Sequence, residues 1–282
     1  MTVAAHDSRR LEPIARPRSI FQRNLNLVRE LSITAFKLKY TGSALGYVWS
    51  LVKPLMLFVI MYLVFSQLLG TGSGSIDFPV QLLVAIVAWT FFTEATATAM
   101  NAVAGNGELI RKAYFPRWIL VVASTTSALL TFAINTLLVI VITFALGHLH
   151  LDWRSLLAPL YFLELIALVL GLSLLLSSLF VFFRDLGHIW EILSLVLFYG
   201  SAVVFPFTKI SNKSKRLADL AGLNPVAQII TDLRHSLVNA SLPSMHSIIG
   251  PLVIIPIGIS FATLIIGYLV FTKLTPRFAE SL

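Results

Sequence analysis

Glu94 and Glu164 are the side chains whose positions most demand a chemical explanation, because each stands inside a long apolar stretch of this 282-residue sequence. An ionised group at the centre of a bilayer costs about 2.5 to 3.5 kcal/mol on insertion scales, so a carboxylate there is either used or neutralised. A proton relay through Glu94 requires a second acid or a basic partner within the apolar stretches, and Glu164 is the candidate for that role. The other reading is that each is protonated, hydrogen-bonded to Ser or Thr of a neighbouring helix, or near enough an interface to be hydrated. The sequence leaves both readings standing.

Other chemistries fail on spacing. Gly105, Gly107 and Lys112 superficially suggest a phosphate-binding loop, but they do not fit G-x-x-x-x-G-K-[ST], and no Ser or Thr follows the lysine. The chain is therefore expected to lack an ATPase site and to need no cofactor of its own. It has no H-E-x-x-H motif and no recognisable Ser/His/Asp set, so no catalytic residue is expected, and a sugar or acyl transferase lacks an identifiable acid, base or donor site. His148 and His150 share a loop with Asp152, where solvated side chains are the expected reading over a metal site. The absence of cysteine excludes a disulfide framework and a thiolate metal centre.

Aromatic residues offer binding rather than catalysis. Phe58, Tyr62 and Phe65 share a helical face by their spacing, and Phe198, Tyr199 and Phe205 form a second group. Such faces suit the C–H surfaces of sugars and let a polymer slide, although packing and interfacial belts explain the same pattern. Between residues 105 and 117, Asn106 can cap a helix, Glu108 falls in its first turn, and Arg111 and Lys112 come late, the order a helix dipole favours. This spacing predicts a short helix parallel to the membrane, with Pro116 starting the next span. A separate ATPase subunit would grip such a helix; a solvated connector is the alternative.

The elements that must position these residues follow from hydropathy. With 57% hydrophobic and 12% charged residues, the chain reads as an all-α membrane protein. Spanning takes about 20 apolar residues, and six stretches qualify or come close: 50–69, 80–101, 118–147, 156–182, 189–207 and 248–272. The net charge of +8 is concentrated before the first stretch, which points to membrane orientation rather than nucleic acid. Arg9, Arg10, Arg16, Arg18, Arg23, Arg29, Lys37, Lys39, Lys53, Arg111, Lys112, Arg117, Arg184, Lys273 and Arg277 all fall on one face, making it cytoplasmic with both termini. Lys209, Lys213, Lys215, Arg216 and Arg234 in the 208–247 connection are the exception, in a loop long enough to weigh less. No secretory signal is read at the start.

Residues 20–40 are too polar to span, yet Phe21, Leu25, Val28 and Ala35 fall opposite Arg23, Glu30 and Lys37, as in an interfacial helix. The 208–247 segment carries Val226, Ile230, Leu233 and Leu237 at helical spacing, which predicts short helices dipping into the outer leaflet or packed on its surface. Asn224-Pro225 should break two of them.

These pieces, in order, resemble the ABC-2 type permeases of the polysaccharide exporter branch, which includes O-antigen, capsule and teichoic-acid transporters. The resemblance rests on Lys39-Tyr40-Thr41-Gly42-Ser43, Leu45-Gly46 and Trp49, then Pro54 at the start of span one. It continues through Leu109-Ile110-Arg111-Lys112, Phe115-Pro116, Phe183-Arg184-Asp185-Leu186 and Asn224-Pro225. It implies two parts: residues 1–41 as tail and interface helix, and residues 42–282 as the transmembrane domain. It further implies a coupling helix at 107–115, with Glu108, Leu109, Arg111 and Lys112 docking on a nucleotide-binding ATPase subunit that holds ATP and Mg. Re-entrant helices are implied at about 208–245. In such a protein two copies of the chain form a homodimer in the bacterial inner membrane, surrounded by lipid. Spans one and five would line the path of a polyprenyl-pyrophosphate-linked polysaccharide, O-antigen-like or a cell-wall galactan. Arg184 and Asp185 would lie at the cytoplasmic entrance, or serve as a positive anchor and helix cap. A drug or lipid exporter, or an ion-coupled transporter, is the alternative. The Arg-rich stretch before residue 20 has no counterpart in the resemblance.

Overall fold

Apolar surroundings force backbone groups to bond within the chain, and a helix does this locally. In a computed structural model, which describes residues 20–68, 70, 77–112, 114–145, 152–239 and 241–281, every regular element among the described residues is helical. In order they are α1 (Ile20–Tyr40), α2 (Trp49–Tyr62), α3 (Phe78–Ala104), α4 (Gly107–Lys112), α5 (Trp118–Ala145), α6 (Ala158–Phe180) and α7 (Leu186–Gly200). Then come α8 (Thr208–Lys213), α9 (Lys215–Gly222), α10 (Pro225–Leu237), α11 (Met245–Ile249), α12 (Ile254–Leu274) and α13 (Phe278–Ser281). Asp152 caps the turn before α6 by accepting from the Trp153 N–H at 2.7 Å, while His148 and His150 lie outside the described residues, as does the Arg-rich start.

Among the described residues, five helical stretches are long and apolar enough to cross a membrane: Gly46–Ser66, Phe78–Ala104, Trp118–Ala145, Trp153–Phe180 and Met245–Arg277. The stretch expected at 189–207 differs. Its helix α7 has 15 residues, about 22 Å at 1.5 Å per residue, against a hydrocarbon core of roughly 30 Å. It stops at Gly200 because the next residues turn sharply, with Ala202 at φ 52°. Pro54 does not start span one either, since a turn at Gly46–Val48 begins the helix earlier and leaves the proline inside α2.

Helix α3 is the centre of the bundle, packed by α5, α6, α2, α7 and α10. Ala85, Ala88, Ala95 and Ala99 are buried along it and let its neighbours come close. Thr90 and Thr96 donate to the carbonyls of Ile86 and Phe92, four residues back, so their hydroxyls need no outside partner. Helices α6 and α12 make the most extensive pair, and they touch through backbone. A Cβ on Gly267 would stand 2.1 Å from the Gly171 carbonyl oxygen, and one on Gly171 would stand 2.5 Å from the Leu264 nitrogen.

The buried turn after α7 is held chiefly by one side chain of α10. The Arg234 guanidinium of α10 donates to the carbonyls of Ala202 at 2.9 Å, Val203 at 2.6 Å, Phe205 at 3.4 Å and Gln81 of α3 at 3.0 Å. Asn224 caps α10 through its side-chain oxygen and donates to the Ser201 hydroxyl at 2.9 Å, so the break expected at Asn224-Pro225 also anchors the turn. Glu164 of α6 accepts from Ser260 of α12 at 3.1 Å and from the Gln228 amide of α10 at 3.4 Å. That amide also donates to Asp232 at 2.8 Å, and Asp232 accepts from the Met245 N–H at 2.7 Å. Of the two readings of Glu164, the hydrogen bond to a serine on a neighbouring helix is the one realised.

Two predictions follow from this packing. Gly267→Leu should destabilise the bundle by about 3 kcal/mol or more through overpacking against backbone, whereas Gly258→Ala on the same helix, whose Cβ meets nothing within 4 Å, should be neutral. Thermal unfolding in detergent separates the two. Arg234→Lys should fail as Arg234→Gln does, each costing about 3 kcal/mol or more, because neither side chain can fork to four carbonyls. Faster amide exchange across residues 201–207 would report it, and full protection in the lysine variant would show that charge alone suffices.

Candidate functional site

The end of the bundle that carries α4 gathers α1, α13 and the turn between α6 and α7. Helix α4 follows α3 after two residues. Asn106, expected to cap it, instead turns its side-chain amide back to the Ala102 carbonyl at 2.8 Å and tightens the last turn of α3. Ile110 is the buried residue of α4, packed in a core with Val103 of α3, Val121 of α5, Phe271 of α12 and Phe278 of α13. Glu108, Leu109, Arg111 and Lys112 are all exposed on the remaining face. Glu108 and Lys112 pair at 3.0 Å across one turn, an exposed contact that contributes little to stability. The structure thus brings the four expected docking residues onto one outward surface backed by a fixed anchor.

Helix α1 lies against α5 and carries Leu31 into that same core. Of the apolar face read from the sequence, Phe21 and Leu25 are exposed and Val28 and Ala35 are half-buried, so its N-terminal part is left uncovered by protein. A cleft of about 800 Å³ separates α1 from the loop after α4, lined by Arg23, Leu27, Leu31, Leu109, Tyr114 and Phe115 among others. The Arg117 guanidinium donates to the Thr275 carbonyl and ties the start of α5 to the segment before α13.

Sequence reasoning missed the partner of Glu94. Lys39, in the last turn of α1, forms an ion pair with it, joining elements 55 residues apart. Their side chains are 30% and 22% exposed, so protein covers the pair only in part. Burial opposes the charge on Lys39, but the hydrogen bond and negative charge of Glu94, aided by Tyr40, carry its pKa above the ordinary lysine value. Lys39 therefore stays charged at neutral pH. The only sequence signal available was Lys39 itself, a cation at the end of an amphipathic helix facing an acid in a later span.

Arg184 and Asp185 are exposed at the α6–α7 turn. The Arg184 guanidinium sits 5.3 Å from the Phe180 ring centroid, and Asp185 occupies the residue before α7 without a side-chain capping bond. The aromatic candidates divide. Phe58 and Tyr62 stack at 5.9 Å and are half-buried with Phe65 against the core, while Tyr199 is 55% exposed. Phe198 is 7% exposed, edge-on to Trp89 of α3 at 5.5 Å and to Tyr199 at 5.3 Å, so it supports Tyr199 instead of presenting its own face. Phe205 is half-buried in the turn held by Arg234. No ring contact joins the α2 and α7 groups among the described residues. Both helices nevertheless expose apolar faces, including Met56 and Ile60 on α2, with Leu63 just past its end, and Ile192, Val196 and Tyr199 on α7.

Two relatives, each called an O-antigen export system permease protein RfbA, come from Myxococcus xanthus and Klebsiella pneumoniae. They are 26% identical to this chain over 246 and 249 residues, covering 87% of the chain and 91% of each relative. The family model for ABC-2 type transporters matches residues 26–238, from within α1 to the end of α10, so the chain belongs to the ABC-2 type transporter family.

Proposed function

We propose that this chain is the transmembrane subunit of an ATP-driven exporter that moves a polyprenyl-pyrophosphate-linked polysaccharide, O-antigen-like or a cell-wall galactan, out of the cell. The observation that carries the reading is the match to nearly the full length of two O-antigen export permeases, over a chain without a phosphate-binding loop. Power must then come from a separate ATPase subunit that binds ATP and Mg. Glu108, Leu109, Arg111 and Lys112 form its docking surface, with the cleft beside α1 completing the groove.

Two copies of the chain would face each other through α2 and α7. Phe58, Tyr62, Phe65 and Tyr199 would line the path, Phe198 would brace Tyr199, and Phe205 would shape the far end. Arg184 and Asp185 would stand at the entrance, where a guanidinium is well suited to hold a pyrophosphate. The α4 end is assigned to the cytoplasm of the inner membrane by its excess of Lys and Arg. Arg234, one of the exceptions to that rule, is buried among carbonyls and is not a free loop charge. Residues 201–249 would form the re-entrant cap on the outer side. Ion-coupled transport loses support, because Glu94 is engaged by Lys39 and Glu164 by Ser260 and Gln228. Export of a drug or another lipid is the remaining alternative.

The docking role is tested by Arg111→Ala/Lys112→Ala in vesicles holding the chain and its ATPase. Export should fall about tenfold while ATP hydrolysis continues and the amount of chain in the membrane is unchanged. Export at the wild-type rate would refute the role.

A further inference from the structure

Helix α3 continues through Gly105 and Asn106 into α4, and α5 returns from α4 through Phe115 and Pro116, so α3, α4 and α5 form one hairpin with α4 at its tip. Helix α1 packs along α5, one leg of this hairpin. Its final turn reaches the other leg at a single charged contact, Lys39 to Glu94. At 1.5 Å per residue, Glu94 lies about 15 Å from the end of α3, so the contact sits well above the tip. Lys39 is also the penultimate residue of α1, and seven residues beyond it, at Gly46, the chain enters the turn that begins the span containing α2. Phe36, Tyr40 and Tyr47 close this junction. Tyr47 stacks on Phe36 at 5.3 Å and approaches Tyr40 at 5.3 Å, so the end of α1 and the base of α2 are packed as one piece.

We infer that the Lys39–Glu94 ion pair is the positioning contact through which displacement of the α3–α4–α5 hairpin reaches the base of α2. The inference rests on the proposed export function, since it gives α2 a motion to receive. An ion pair suits the task better than an apolar seam. It is directional, it joins one charged group of α1 to one of α3, and neither side chain is enclosed by the bundle. The aromatic junction carries the displacement the remaining distance, because close-packed side chains shift as bodies. On the opposite flank of α3 the Trp190 indole donates to the Thr96 hydroxyl at 3.2 Å, so α7 is tied to the same stretch of α3. Both proposed path helices are thus referenced to one segment, residues 94–96.

The test uses charge reversal and a distance. The chain has no native cysteine, so cysteines at Leu45 and Asn101 can carry spin labels that span the base of α2 and the end of α3. In the purified chain the wild-type distance should be narrow. Lys39→Glu and Glu94→Lys should each broaden it, and the double reversal should narrow it again. In vesicles with the ATPase, export per ATP hydrolysed should fall about tenfold in each single variant and return to within about threefold in the double. Loss of folding alone would lower hydrolysis and export together and would not be rescued by the swap. Single variants that keep the narrow distance, or a swap that restores the distance without restoring export per ATP, would overturn the inference. A wild-type complex without ATP-dependent export would instead refute the export function, and the distances alone would then decide whether the contact positions α2.

Discussion

A backbone that leaves helical geometry in apolar surroundings must find every hydrogen bond within the protein, and the fold depends most heavily on that demand at Arg234. Residues 202–205 lose their helical partners when α7 stops, and one guanidinium accepts the task of donating to three of their carbonyls and to Gln81 of α3. Arginine fits because its donors lie in a rigid plane and it keeps its proton even when buried. Once the turn is fixed, Ala202 can hold a left-handed conformation, α7 can end short, and α10 can cross the first turns of α3.

The same economy shapes the helix contacts. Lipid gives helices no hydrophobic reason to associate, so close approach must come from small residues and polar contacts. Gly171 and Gly267 let α6 and α12 touch through backbone, and the buried alanines of α3 let five helices surround it. Helices α2, α7 and α12 each leave much of their apolar surface uncovered, but α12 is fastened along α6, whereas α2 and α7 pack on the bundle over smaller areas. That is a suitable basis for movement by displacement of whole elements.

The sequence made legible those features that depend on local properties. The stretches at 80–101, 118–147 and 156–182 became helices because length and apolarity are sufficient there, and Asn224-Pro225 became a helix break through capping chemistry within three residues. The end of α7 was not legible, because it is set by Arg234, whose role depends on carbonyls some thirty residues earlier. Asn106 looked like a cap from its place before Glu108, but an amide can bond in either direction, and the end of α3 won. Spacing placed Phe198 beside Tyr199 without indicating that Trp89 covers it. The four exposed residues of α4 were easier, because one apolar residue among charged neighbours fixes which face turns inward. Their resemblance to an ordered family pattern added what no single stretch could supply.

The two intramembrane carboxylates, equivalent in the sequence, have opposite settings. Glu164 is enclosed by neutral donors from α10 and α12, and removing any of them would leave buried polar groups unpaired. Such a network costs much to open and holds α6, α10 and α12 in one arrangement. Glu94 meets a single cation and is only partly covered by protein, so its contact lies at the edge of the bundle and outside any closed network. The closed network lies among α6, α10 and α12, and the Lys39–Glu94 pair lies toward α4. Under the proposed function, a partner acting on α4 would meet this asymmetry: the closed network around Glu164 would resist, and displacement would be left to α2 and α7.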